Sequence, residues 1–320
     1  MAVEINPGYM GIADVGGVGE VRFDSSSVNA RQEIEAPDLI MGDYDHDAYV
    51  YGKIDVSGSI SGPMTETFIR ADGSLISLWE WGTDRDENTG QLVNTSDIDI
   101  TYYNGRSRNF TGMEASSLGF SCASGDIAQF SIDVIGRSAG DWGTNAGGAL
   151  NPQAPAGSAL NEKLITWDQV TVAVTPTAGD PGPNLDPSIP IADTSVVAYS
   201  NIDVTIGNNC EPVYSLFNAG DSPHLFPFDI VTGIRTISGT LSLYNIPDYT
   251  SESGGVTSWC DYDADNYSII TISFGGSCAA YTPLTIPIRC RFHRVEAESS
   301  VGPITSTVGF TGVTHQMWTY

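Results

Sequence analysis

Polar and apolar residues alternate one for one along much of this chain. Between Gly233 and Tyr244, Ile237, Gly239, Leu241 and Leu243 fall on one face, and Thr236, Ser238, Thr240 and Ser242 on the other. A period of two is the signature of a half-buried strand. From Leu284 to Phe292 the alternation is unbroken. Leu284, Ile286, Ile288, Cys290 and Phe292 point in; Thr285, Pro287, Arg289, Arg291 and His293 point out. The same reasoning predicts strands over 20–23, 51–61, 98–103, 117–122, 127–135, 170–174, 200–207, 267–274 and 305–310. Asn104-Gly105 is a hairpin signal. The alternation fails between Pro63 and Trp81. There Pro63 opens and Asp72-Gly73 closes a predicted short helix over 63–69; the corresponding segment of the second half is 247–259.

The pattern occurs twice. Tyr51-Gly52-Lys53-Ile54-Asp55-Val56-Ser57-Gly58-Ser59-Ile60 has the Gly-x-x-x-x-Ser-Gly spacing and the alternation of the strand through Ser238-Gly239. Upstream, the apolar pair in Val21-Arg22-Phe23-Asp24 stands to the first Ser-Gly much as Val204-Thr205-Ile206-Gly207 stands to the second. Two matches in one order predict an internal duplication. The expected architecture is all-β: two similar sandwich or barrel units, each with one short helix. Residues 1–20 are Gly-rich and aperiodic, an expected arm. The first unit spans 21–175 and includes a Gly/Ala/Pro/Asn-rich loop at 140–163; the strand around Val170, Val172 and Val174 is expected to close it. A Pro-rich linker at 176–195 leads to the second unit, 196–320.

A family resemblance rests on these same residues. Ile202-Asp203-Val204-Thr205-Ile206-Gly207-Asn208-Asn209, then Pro212-Val213-Tyr214 and Gly233 to Tyr244, resemble the tail tube proteins of long-tailed bacteriophages. The first half adds Gly58 to Pro63, Tyr103-Asn104-Gly105, Phe110 to Leu118 and Phe130 to Arg137. The order carries the resemblance, since no single motif is chemically diagnostic. The arm, the loop 140–163 and the linker fall outside it. The resemblance implies a structural virion protein, assembled in the host cytoplasm, whose copies form rings that stack into a tube for the genome and the tape-measure protein. A duplicated chain implies three chains per ring with pseudo-six-fold symmetry, with a hexamer of the whole chain left open. A related ring of the tail (baseplate, distal tail or terminator) could use the same domain. An extracellular carbohydrate- or cell-binding sandwich is the alternative from another class; it predicts a secretion signal and disulfides.

Charge sharpens this picture. The 320 residues carry 39 acids against 13 bases, a net charge of −26. Binding DNA by phosphate neutralisation needs clustered Lys and Arg, so DNA is expected to pass without sequence-specific binding. The five cysteines, Cys122, Cys210, Cys260, Cys278 and Cys290, form no Cys-x-x-Cys. Cys122 and Cys290 continue apolar alternations and read as buried. Met1 to Asn6 lacks the pattern of a secretory signal, and no apolar run reaches the roughly 20 residues of a membrane span. Asp43-Tyr44-Asp45-His46-Asp47 and Asp261-Tyr262-Asp263-Ala264-Asp265 imitate the start of a calcium loop. They lack the Gly and Glu such loops need at positions six and twelve. No nucleophile elbow and no phosphate-binding loop is present. The expectation is a protein without enzymatic activity, cofactor or metal.

Candidate positions follow from faces and ends. In Asp97-Ile98-Asp99-Ile100, the isoleucines are expected to pack inward and the acids to stay outside, where they either line a lumen or lie on the exterior and confer solubility. Asp133, between Ile132 and Val134, is a third candidate. Arg289, Arg291 and Arg294 form a basic stripe on an acidic chain, read either as pairing with neighbouring acids or as a contact between subunits. Trp318 and Tyr320 are further contact candidates.

Overall fold

The computed structural model describes residues 11–35, 50–69, 75–102, 105–144, 164–176, 198–215, 225–244, 268–275, 284–298 and 305–312. Both calcium-like acidic stretches, the segment 247–259, Trp318 and Tyr320 lie outside the described residues. The first half runs β1 (Gly11–Val15), β2 (Gly19–Phe23), β3 (Ser25–Ser26), β4 (Asn29–Glu35), β5 (Val50–Pro63), α1 (Glu66–Ile69), α2 (Leu78–Thr83), β6 (Ser96–Tyr102), β7 (Arg106–Ala123), β8 (Gln129–Gly136), β9 (Ser138–Ala139) and β10 (Gly143–Thr144). Then come β11 (Val170–Pro176), β12 (Ala198–Gly207), β13 (Glu211–Val213), β14 (Asp229–Val231), β15 (Thr236–Tyr244), β16 (Ser268–Phe274), β17 (Leu284–Glu298) and β18 (Thr305–Gly312). The fold is all-β, as the alternation predicts.

All strand pairs are antiparallel, and one order of neighbours appears twice. In the first half it reads β1-β6-β7-β8-β5-β4; in the second, β11-β16-β17-β18-β15-β12. The match extends to single residues. Ser57 stands between Asn29 and Ile135; Ser238 stands between Thr205 and Thr311. Both long strands slip register at the same place, between Ala115 and Ser117 in β7 and between Phe292 and Arg294 in β17. Such bulges bend a strand and strengthen its twist. The strand-to-strand alignment read from the sequence needs one correction: β2, containing Val21 and Phe23, pairs with β1, and it is β3 and β4 that lie beside β5 as β12 lies beside β15.

The two halves are joined in one continuous ribbon, because β7 pairs with β12 from Ser117 to Ala123. Cross-strand rows run straight through this seam. One row is polar: Ser61, Ser131, Gly119, Thr205, Ser238, Thr311. The neighbouring row is apolar: Ile60, Ile132, Leu118, Ile206, Ile237. Each row occupies one face, since residues directly opposite in a ladder point the same way. The apolar face covers a core common to both halves. Phe68, Trp79, Phe120 and Phe130 of the first half pack together, and Phe68 and Phe120 also meet Phe274 of the second, with Phe120 and Phe274 edge to face at 5.1 Å.

Four local expectations change. Residues 11–20, read as part of an arm, form most of a hairpin that adds β1 to β6, with Ala13 and Val15 buried; the glycines that hid the period supply its turn, where Gly17 has φ 85°. The strand around Val172 does not close the first half. It pairs with β16 of the second, setting Val172 against Ile272 and Val174 against Ile270; periodicity announces a strand but not its partner. The helix predicted over 63–69 is confined to α1, because Pro63 still belongs to β5 and Thr65 bridges Leu164. A second helix, α2, follows it. Its capping box was readable: the Ser77 hydroxyl accepts from the Glu80 N–H at 3.1 Å, and the Glu80 carboxylate accepts from the Ser77 N–H at 3.0 Å.

Candidate assembly surfaces

The seam shows what this chain uses to join one half to the other. Beyond the β7–β12 ladder, a lock of polar groups sits where β12 ends. Asn208 is fully buried. Its N–H donates to the Ser116 carbonyl at 2.7 Å, and its side-chain amide donates to Gly82 and Ala115, each at 2.8 Å. The guanidinium of Arg85 donates to the Asn208 side-chain oxygen at 3.1 Å and to the Gly233 carbonyl at 3.0 Å. Arg235 donates to the Thr83 carbonyl. Gly82 and Thr83 are the last residues of α2, where helix carbonyls lack intrahelical donors. The second half therefore caps a helix of the first. Asn209, beside it, is the sole non-glycine residue at positive φ among the described residues, at 52°, a conformation Asn tolerates. The Asn208-Asn209 pair stood in the sequence motif; that Asn208 clamps the halves together was invisible there, because the acceptors of its side-chain amide lie more than 90 residues away.

The candidate acids do not form one patch. Asp97 and Asp99 are exposed while Ile98 and Ile100 are buried, the alternation expected of them. Asp97 accepts from the Gly112 N–H at 3.0 Å and Asp99 from the Asn109 amide at 2.7 Å, so both brace β6 on β7. Asp133 lies elsewhere, on the Ser/Thr face of the ribbon, where it accepts from the Ser117 hydroxyl at 2.6 Å. Asp24 and Asp203 line a shallow depression of that face with Ser61, Ser121 and Ser131. Sequence reasoning had passed over these two. Partial burial pushes both carboxyls above the usual aspartate range.

The three arginines occupy positions along β17. Arg289 is half-buried and its backbone stands opposite Ile269. Arg291 stands opposite Thr311, and Arg294 follows the bulge opposite Gly309. Burial pushes the thiols of Cys122 to about 11 and of Cys210 and Cys290 to about 12, so each is a protonated, apolar filler at neutral pH. No cluster of metal-binding side chains occurs among the described residues, and among them no helix is long and apolar enough to cross a membrane.

A family model described as phage tail tube protein matches residues 9–259. The chain belongs to the phage tail tube protein family. The match crosses the seam and includes both the β5 and β15 strands. A search of curated proteins finds no match. As a tail tube protein, this chain is a structural component of the phage tail.

Proposed function

We propose that copies of this chain close into rings, that the rings stack into the tail tube, and that the genome and the tape-measure protein pass along its channel. The observation that carries the reading is the repeated strand order, present on top of family membership. Two copies of one unit per chain, at 21–175 and 196–320 by the sequence or divided just before β11 by strand pairing, make a ring of three chains pseudo-six-fold.

The Ser/Thr face of the ribbon is the proposed channel wall. Its opposite face is committed to the core, so a ring built from the ribbon presents this polar face to a channel. Asp133, Asp24 and Asp203 give it negative charge, and short hydroxyl side chains give it hydrogen-bonding groups, while the arginine positions opposite Thr311 and Asp55 fall towards its two outer strands. Phosphates are repelled and do not stick. Asp97 and Asp99 contribute through the separate β6 face. Electron microscopy of the purified chain tests the reading: tubes or rings are expected, and a protein that stays monomeric at all concentrations contradicts it.

A further inference from the structure

Among the described residues, the second unit lacks a strand that the first one has. In the first unit, β2 pairs with β1 on the edge that faces away from β6. Phe23 stands opposite Gly11, Val21 opposite Ala13 and Gly19 opposite Val15. In the second unit β11 holds the place of β1, because the buried Ile270 and Ile272 of β16 match the buried Ile98 and Ile100 of β6. That register sets Val170 in the place of Gly11, Val172 in that of Ala13 and Val174 in that of Val15. Among the described residues β11 pairs with β16 alone, and its other edge is free. Beside it lies a cleft of about 330 Å³, lined by Cys122, Trp167, Val170, Val172, Tyr199 and Ile202. Tyr199 stands where Phe23 stands in the first unit, two residues before the Asn201–Ser242 pair that matches Ser25–Ser61. Phe23 lies directly on Gly11, where a Cβ would meet its ring at 2.5 Å. The valine in that place holds Tyr199 off the strand. The Tyr199 hydroxyl is buried and has no hydrogen-bond partner among the described residues. A free edge beside an apolar-walled cleft is a template for another strand.

We propose that residues 195–197, outside the described residues, continue β12 upstream and pair antiparallel with the free edge of β11, as β2 pairs with β1. The repeat names this occupant. β2 runs directly into β3 and β4, and residues 195–197 run directly into β12. In the register of β1 and β2, Val197 faces Val172 and Ser195 faces Val174. Val197 then falls on the buried side with Val172 and Ile272, at the cleft, and Val196 falls on the outer side beside Ala173. Two of the three residues are β-branched valines, which suit a strand, and none is a proline, which would remove a ladder donor. Pro181, Pro183, Pro187 and Pro190 all fall in 175–194, the stretch that takes the place of the Gly16-Gly17-Val18 turn. Those residues, read from the sequence as a linker between units, then form the loop of a hairpin within the second unit. Both units close the same edge in the same way, and β11 offers no free edge to other molecules.

The test is Ala173→Cys combined with Val196→Cys, with Cys260→Ser and Cys278→Ser to remove competing thiols. The protein is oxidised in dilute solution and its disulfides are read by peptide mass spectrometry. Pairing raises the effective concentration of the two thiols, so they should join within one molecule at least about tenfold faster than the control pair Ala173→Cys with Pro187→Cys. Equal rates overturn the proposal. Disulfides formed only between molecules overturn it too and give the edge to a second copy. If the double variant does not fold, hydrogen exchange of the unmodified chain in dilute solution reads the same edge. The β11 amides that point away from β16 should exchange as slowly as those that point towards it; exchange at the rate of an unpaired strand overturns the pairing.

Discussion

The seam between β7 and β12 and the ribbon's outer strands, β4 and β17, are built from matching strands, yet among the described residues only the seam is sealed. At the seam a ladder, a buried asparagine and two arginines hold the halves together, and Phe274 crosses into the core of the first half. At the open ends the strands are present and the second partner is not among the described residues. The difference teaches that a repeat joined inside one chain can serve as the template for a joint between chains. Covalent linkage makes the first joint permanent; in the proposed ring, assembly would make the second.

The largest effect on this comparison comes from the shared core. Phe120→Ala removes a ring that touches Phe68, Trp79 and Phe274, and the cost expected for such a cavity is about 3–5 kcal/mol. Because the core is common, denaturant unfolding followed by tryptophan fluorescence and by circular dichroism should lose both halves together. Two separate transitions would mean that the halves hold themselves up independently.

Asn208→Ala attacks the lock. It removes the donors to Gly82 and Ala115 and an acceptor of Arg85, leaving buried groups unpaired; a loss of about 2–3 kcal/mol is expected by chemical denaturation. A loss below about 0.5 kcal/mol would show that the ladder alone seals the seam.

The matched glycines sharpen the comparison further. A Cβ on Gly58 would meet the Val28 Cα at 2.4 Å, and one on Gly239 the Asp203 carbonyl at 2.3 Å. Both sit where backbone approaches closely. Gly58→Ala and Gly239→Ala should each cost about 1–3 kcal/mol, and a tolerated alanine at either site would break the equivalence.

The smallest effect is a pH dependence. Glu114 is buried, and desolvation raises its carboxyl above the ordinary value, although Thr95 donates to it at 3.2 Å. The folded state therefore binds this proton more tightly than the unfolded chain. Stability falls as pH rises from the ordinary glutamate value through the raised one, and stays lower above it. Glu114→Gln keeps an acceptor for Thr95 without the charge. It should be more stable than the parent at neutral pH, with the gap closing on acidification; a gap independent of pH would contradict the assignment.

Much of this was legible in the chain. The alternation in Leu284 to Phe292 and in Asp97 to Ile100 reports which side is buried, because burial selects side chains at period two. The repeat showed through Ser57-Gly58 and Ser238-Gly239, since close backbone contacts admit only glycine there. Partners were not legible. Val170 to Val174 spelled a strand without saying that it pairs with β16. Asp24 and Asp203 looked like loop and strand acids until pairing brought them to one face. The β1–β2 hairpin was hidden because glycine contributes no hydrophobic signal, and the six residues of α2 are too few to show a period, leaving only its capping box to announce it.

The central claim is that one chain supplies two equivalent units to a ring. The most direct measurement is a cryo-electron microscopy reconstruction of assembled tubes, refined without imposed symmetry. The account predicts three chains per ring and six alike density segments, with the Ser/Thr face of the ribbon lining the channel. Six whole chains per ring, or a channel lined by another face, would contradict it.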